Sequence, residues 1–215
     1  MSKSSALIIV DVQNDFCPPK GSLQVAGGLE AIDVINQIRK DNEFKTIILT
    51  QDFHPQNHSS FHSNNAHHPK ASLFQPLDLG NGKSQVMWPD HCVQGSKGCE
   101  FHPKLVRQDS DIIVQKGKHV EVDSYSGFFD NDHKSKTDLH DILKENGITD
   151  VFVVGLAYDY CVGYTAIDAH QLGYKTRVIE DATRAVAEDS KIERINEMKA
   201  LGIDILQSKE ISGLF

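Results

Sequence analysis

Short apolar runs alternate with helical patterns along almost the whole chain. ALIIVDVQ (6–13), KTIILTQD (45–52), SDIIVQKG (110–117), TDVFVVG (149–155), KTRVIED (175–181) and IDILQ (203–207) read as six strands. Between the first two, Leu29, Ile32, Ile35 and Ile38 recur at helical spacing and predict an amphipathic helix over 28–40. TDLHDILKENG (137–147) predicts a second helix, closed by a glycine cap. Ala166, Ile167, Ala169, His170 and Leu172 mark a third, and 190–201 a fourth. Val/Ile runs without polar alternation, separated by helices, imply a parallel sheet covered on both faces, an α/β architecture. The exception is 53–109, which is polar and rich in His, Pro, Asn and Gly, and reads as a long functional loop or insertion.

The polar residues at the strand ends give this pattern chemical content. Asp11 closes the first strand, Asp52 the second and Lys116 the third, and Cys161 follows the fourth. In an open parallel sheet these ends share one edge, where ligands bind at the point of strand-order reversal. Cys161 sits where strand gives way to helix, and a helix N-terminus favours a thiolate. The sequence therefore predicts a lowered thiol pKa at Cys161. Free cysteine is also a common buried packing residue, so the junction alone does not establish a nucleophile. A carboxylate, an ammonium and a thiol in one crevice suit nucleophilic acyl chemistry, with Asp11 as base and Lys116 favouring the ionised forms.

A second constellation lies in the insertion. Asp52 and His54 stand two residues apart at a strand end, and His91 follows in Trp88-Pro89-Asp90-His91-Cys92. One carboxylate and two imidazoles form an N/O site suited to Zn²⁺, Fe²⁺ or Mn²⁺. His58, His62, His67 and His68 compete as ligands by spacing, although the last three read more simply as residues of a hydrophilic loop.

Composition narrows the classes. The chain has 215 residues, 39% hydrophobic and 24% charged, consistent with one globular domain spanning 1–215. A net charge of −8 without a basic cluster argues against nucleic-acid or membrane partners. The first apolar run is too short to span a membrane and lacks a leader-cleavage region. Four unpaired-looking cysteines fit reduced thiols, and with no targeting signal seen a cytoplasmic location is expected.

Taken together, the motifs resemble the nicotinamidase branch of the isochorismatase-like cysteine hydrolases. The resemblance rests on Asp11-Val12-Gln13-Asn14-Asp15-Phe16, Gly21-Ser22-Leu23 with Val25 and Gly28, and Thr50-Gln51-Asp52-Phe53-His54-Pro55 with His58 and Ser60-Phe61. Trp88 through Gly95, Lys116-Gly117, Asp123 through Phe128, Gly155-Leu156-Ala157 and Asp159-Tyr160-Cys161-Val162 complete it. It implies a three-layer α/β/α fold whose six-stranded, mostly parallel sheet has the order third-second-first-fourth-fifth-sixth. It further implies hydrolysis of nicotinamide to nicotinate and ammonia within NAD salvage, with pyrazinamide as a second substrate.

The resemblance also implies roles. Asp11, Lys116 and Cys161 match the catalytic triad. Asp52, His54 and His91 match the ligands of one divalent metal ion, Zn first with Fe or Mn as alternatives, and His58 is a further ligand or lies behind them. A cis peptide between Leu156 and Ala157 is expected, aiming the backbone N–H of Ala157, with that of Cys161, at an oxyanion. Phe16, Trp88, Tyr125 and Leu156 would bind the pyridine ring. A homo-oligomer is compatible with the pattern. Phe53 stands where Trp is frequent, and Cys17 has no role beyond packing. Two other readings are a metal-free isochorismatase or carbamoyl hydrolase relative and a nucleotide-binding module. The second is disfavoured because Gly27-Gly28 lacks the phosphate-loop spacing and Asp11 would repel a pyrophosphate.

Overall fold

The computed structural model describes residues 4–80 and 83–214. The span 1–215 expected for the domain thus includes Met1 to Lys3, Asn81, Gly82 and Phe215, which lie outside the described residues. Strands β1 (Ser5–Val10), β2 (Thr46–Asp52), β5 (Ile112–Lys116), β6 (Asp150–Leu156), β7 (Lys175–Arg184) and β8 (Asp204–Leu206) form one sheet of order β5-β2-β1-β6-β7-β8. Every adjacent pair is parallel. Counted as six consecutive strands, this is the order expected, with β1 and β6 central neighbours.

Alternation along β1 divides the core between two layers. Leu7 and Ile9 pack with Ile32, Ile35 and Ile38 of α1 (Gly28–Asp41). Ala6, Ile8 and Val10 pack on the other face with Leu139 and Leu143 of α3 (Leu139–Glu145) and Ala166 and Ala169 of α4 (Gly163–Gln171). Met198 of α5 (Glu188–Ala200) joins that second layer. All six residues of β1 are buried, which is why its sequence is continuously apolar from Ala6 to Val10. Full burial of each such side chain contributes roughly 1.5–3 kcal/mol, so the central strands anchor what hangs from their ends.

The expected glycine cap of α3 is present. Gly147 adopts φ 60°, its N–H donates to Lys144 O at 2.8 Å, and Ile148 N–H donates to Leu143 O at 2.9 Å. The insertion is more ordered than a loop. It holds the short α2 (His62–Asn65) and an antiparallel hairpin, β3 (Pro76–Gly80) with β4 (Lys83–Val86). Isolated bridges join His54 to Val93 and Phe61 to Trp88, laying the segment over the C-terminal ends of the strands. Among the described residues no helix is long and apolar enough to cross a membrane.

Candidate active site and metal centre

The C-terminal ends of β1, β2, β5 and β6 bring together every strand-end residue singled out by sequence. Asp11 is fully buried and left-handed at φ 48°, an uncommon backbone state for a non-glycine residue. Thr50 holds it there: Asp11 N–H donates to Thr50 Oγ1 at 3.2 Å, and the Thr50 hydroxyl donates to Asp11 Oδ1 at 2.6 Å. Asp11 Oδ2 lies 2.9 Å from Lys116 Nζ but accepts no well-oriented hydrogen bond. It therefore remains available to a proton from a neighbour. The carboxylates of Asp11 and Asp52 and the thiol of Cys161 lie mutually within 4.8 Å.

Lys116, only 1% exposed, is the hub of the cluster. Its ammonium approaches Asp52 Oδ1 at 2.5 Å, Ser124 O at 2.8 Å and Cys161 Sγ at 3.4 Å, besides Asp11. Burial alone would lower its pKa, but Asp11 and Asp52 outweigh that and hold it charged, well above the ordinary range. Two carboxylates against one buried ammonium leave a local negative excess. Burial, opposed by Lys116, raises the Asp11 carboxyl to about 6.

Cys161 departs from expectation. It sits in a π-helical turn, Tyr158–Val162, that leads into α4, so the predicted helix N-terminus is present. Yet burial, reinforced by Asp11 and Asp52, overrides Lys116 and pushes the thiol well above its usual range. Burial thus opposes a standing thiolate at Cys161, which lies beside an ionisable carboxylate. The position was legible from sequence; the direction of the shift required knowing that the thiol is buried. The peptide between Leu156 and Ala157 is cis, as expected. Ala157 O accepts the N–H groups of Tyr160 and Val162, leaving the N–H of Cys161 out of that pair.

The histidines meet on the far side of Asp52. His54 Nδ1 donates to Gly117 O at 2.8 Å, and His91 Nδ1 donates to Pro89 O at 2.7 Å. These carbonyls fix both rings with Nε2 unprotonated when neutral. The two Nε2 atoms lie 3.5 and 3.9 Å from Asp52 Oδ2. Gly117 makes the approach feasible: its φ is +64°, and a Cβ there would lie 2.4 Å from His54 Cε1. Asp52 is fixed in turn by Gln13, whose amide accepts from Asp52 N–H at 2.9 Å and donates to Asp52 O at 2.8 Å.

A divalent cation fits this donor set. His54 Nε2 is buried without a hydrogen-bond partner, and the ligand atoms of Asp52, His54 and His91 lie mutually within 4.8 Å. His58 is also buried with an unpartnered Nε2, and its ring centre is 4.2 Å from that of His54. Its Nδ1 accepts the Ser60 N–H at 3.3 Å and meets the Ser60 hydroxyl at 2.7 Å, which places the proton of the neutral ring on Nε2. Asp123, whose motif was noted without a role, groups with His54 and His58, its Oδ1 lying 4.0 Å from His54 Nε2. His62, His67 and His68 join no such cluster among the described residues.

A cavity with an empty volume of about 400 Å³, counted with its open mouth, lies over these groups. Cys161, Asp52, His91 and Asp123 supply its polar lining, and Phe16, Trp88 and Tyr125 are among its walls as expected. Leu156 is not: its side chain is 1% exposed and belongs to the core on the α1 side. Tyr160, Leu23, Val25 and Val186 line the cavity but were not anticipated. Tyr160 could have been found, since it adjoins Cys161 in sequence. Val186, 25 residues downstream, carries no local signal.

The isochorismatase domain family matches residues 5–210. The chain belongs to the isochorismatase family. Within that family it is 43% identical over 211 residues to the nicotinamidase of Acinetobacter baylyi, covering 98% of this chain and 95% of that one. The solved nicotinamidase pyrazinamidase of Acinetobacter baumanii superposes with a TM-score of 0.89 at 43% identity, over 97% of this chain and 98% of that one. The pyrazinamidase of Pyrococcus horikoshii, solved in complex with zinc, gives 0.77 at 34% identity, over 95% and 99%. The six-stranded parallel sheet is thus the isochorismatase-like fold.

Proposed function

We propose that this isochorismatase-family hydrolase is a nicotinamidase: it converts nicotinamide and water to nicotinate and ammonia through a thioester on Cys161. The reading rests on one observation above all. A thiol, an ionisable carboxylate and a buried ammonium stand together beneath an aromatic-walled cavity, beside two histidines with oriented Nε2 atoms. The similarity to proteins named nicotinamidase points to the same chemistry.

In this mechanism Asp11 Oδ2 takes the Cys161 proton as sulfur attacks the carboxamide carbon. The S–C bond forms, and the backbone N–H groups of Ala157 and Cys161 hold the oxyanion. Asp11 returns the proton to the departing nitrogen, the C–N bond breaks, and ammonia leaves. Asp11 then deprotonates a water that cleaves the thioester, releasing nicotinate and the thiol. Lys116 keeps Asp11 ionised near neutral pH and carries positive charge against the thiolate as it forms. Phe16, Trp88 and Tyr125 flank the ring.

Asp52, His54 and His91 would hold a divalent metal ion, Zn²⁺ first among the candidates; bound there, it supplies a Lewis acid for the ring nitrogen. Pyrazinamide, a carboxamide on a similar six-membered aromatic ring, is a second substrate on this reading. The reaction would serve NAD salvage in the cytoplasm. Ammonia release from nicotinamide by wild type, Cys161→Ala and Asp52→Ala, with metal content measured alongside, tests the whole. Full turnover by Cys161→Ala would sink the covalent route, and unchanged metal content in Asp52→Ala would remove the metal assignment.

A further inference from the structure

The carboxylate two residues before the nucleophile is fully engaged by a different part of the chain. Asp159 is only 2% exposed. Its Oδ1 accepts the Val186 N–H at 3.0 Å, and its Oδ2 accepts the Ala187 N–H at 3.1 Å and the Ser190 hydroxyl at 2.6 Å. Ala187 is the N-cap residue of α5 and offers no side-chain cap of its own. Asp159 thus ties down the entry to α5, accepting the N–H groups of its N-cap residue and of the residue before it, and the hydroxyl of its third residue. The attachment is doubled through the backbone, because Arg194 Nε of α5 donates to Asp159 O at 3.2 Å. The Arg194 guanidinium also stacks on Tyr164, 4.0 Å from the ring centre.

Two parts of the candidate site meet at this carboxylate. One is the π-helical turn that presents Cys161. The other is Val186, a cavity-lining residue that is 40% exposed and belongs to no regular element. Few apolar contacts hold such a residue in place, whereas two peptide N–H bonds to a buried anion do. We propose that Asp159 is a positioning residue for the reaction. It locks the nucleophile's turn and the Val186 wall to one another, so that the thiol and the far side of the substrate keep a fixed separation. The proposal rests on the amidohydrolase reading for its kinetic consequence but not for its geometric one.

The experiment compares wild type, Asp159→Asn, Asp159→Ala and Ser190→Ala. Each is assayed for nicotinamide turnover per folded molecule, and for the rate of iodoacetamide alkylation at Cys161 read by mass spectrometry of its peptide. Asn keeps one carbonyl acceptor, and Ser190→Ala removes a single bond, so a graded series is expected. Loss of kcat should reach about 100-fold for Ala, since small misplacements of reacting groups cost that much. About tenfold is expected for Asn and about threefold for Ser190→Ala. KM should rise by less than about threefold, and the alkylation rate should change in the same order. A purely structural role would lower the folded fraction and leave both rates per folded molecule at wild-type values; that result overturns the proposal. If Asp159→Ala does not fold, Asn and Ser190→Ala still decide it. If wild type does not hydrolyse nicotinamide, the reaction reading falls by itself, and unchanged alkylation in Asp159→Asn then overturns the positioning role separately.

Discussion

The two sides of the Lys116 ammonium differ in a way that explains their separate uses. On the thiol side Asp11 faces Cys161 and Thr50; on the imidazole side Asp52 faces His54 and His91. Both carboxylates are buried and both touch the same nitrogen. Burial raises both, but on Asp52 Lys116 and then His54 overcome it and hold the carboxyl well below its usual range. On Asp11 burial prevails over Lys116, with repulsion from Asp52 adding to it, and the carboxyl stays at about 6. Around one ammonium, the carboxyl flanked by two imidazoles is pushed down and suits a cation, and the one facing the thiol is pushed up and suits proton transfer.

The largest effect should come from removing the thiol: Cys161→Ala is expected to lower kcat by at least about 10⁴-fold, measured as ammonia release, with the fold intact. Lys116→Met comes next and strikes both sides. It leaves two buried carboxylates without their cation, so a loss of roughly 3–5 kcal/mol in denaturant-measured stability should accompany loss of activity. Asp52→Asn strikes the imidazole side first. Metal content by elemental analysis should fall, while Cys161 alkylation persists.

The pH profile tests the asymmetry itself. Asp11 must be ionised to take the thiol proton, so kcat/KM should fall about tenfold per unit as pH drops below about 6. The linkage to stability runs in opposite senses. The raised Asp11 contributes stability that is complete below its ordinary value of 3.8 and is lost as pH rises through about 6. The lowered Asp52 contributes stability present above 3.8 and lost as pH falls through its depressed value. The smallest effect belongs to Thr50→Val, which removes the 2.6 Å hydrogen bond that favours ionised Asp11. The acid limb should then move upward by about half a unit to one unit, within the roughly 1 kcal/mol of such a bond. An unmoved limb would mean that another group controls it.

Most of the thiol side was legible in the sequence, because Asp11, Lys116 and Cys161 interrupt or follow long apolar strands and periodicity alone puts them at one edge. The imidazole side was less so. His54 follows directly from β2, but His91 reaches the site through bridges such as that of Phe61 to Trp88, which no periodicity announces. The hairpin was missed since, among its described residues, only Leu77 and Gln85 are buried, too few for an alternating pattern, although Asn81-Gly82 in the sequence is a hairpin-turn signal. The hold of Gln13 on Asp52 depends on hydrogen bonds between distant segments. The upward shift of the Cys161 thiol depends on burial, which residue spacing does not report.

The adjoining residues Lys116 and Gly117 serve opposite sides, one sending its ammonium to the thiol and the other its carbonyl to His54. Lys116 ends β5 and Gly117 follows it; among the described residues this border strand pairs only with β2. The reaction's charge balance and the orientation of an imidazole therefore hang from a single selvedge of the sheet, laced along one side only. Fraying at that margin would disable proton transfer and cation binding at one stroke, while the central strands and most of the core stayed folded.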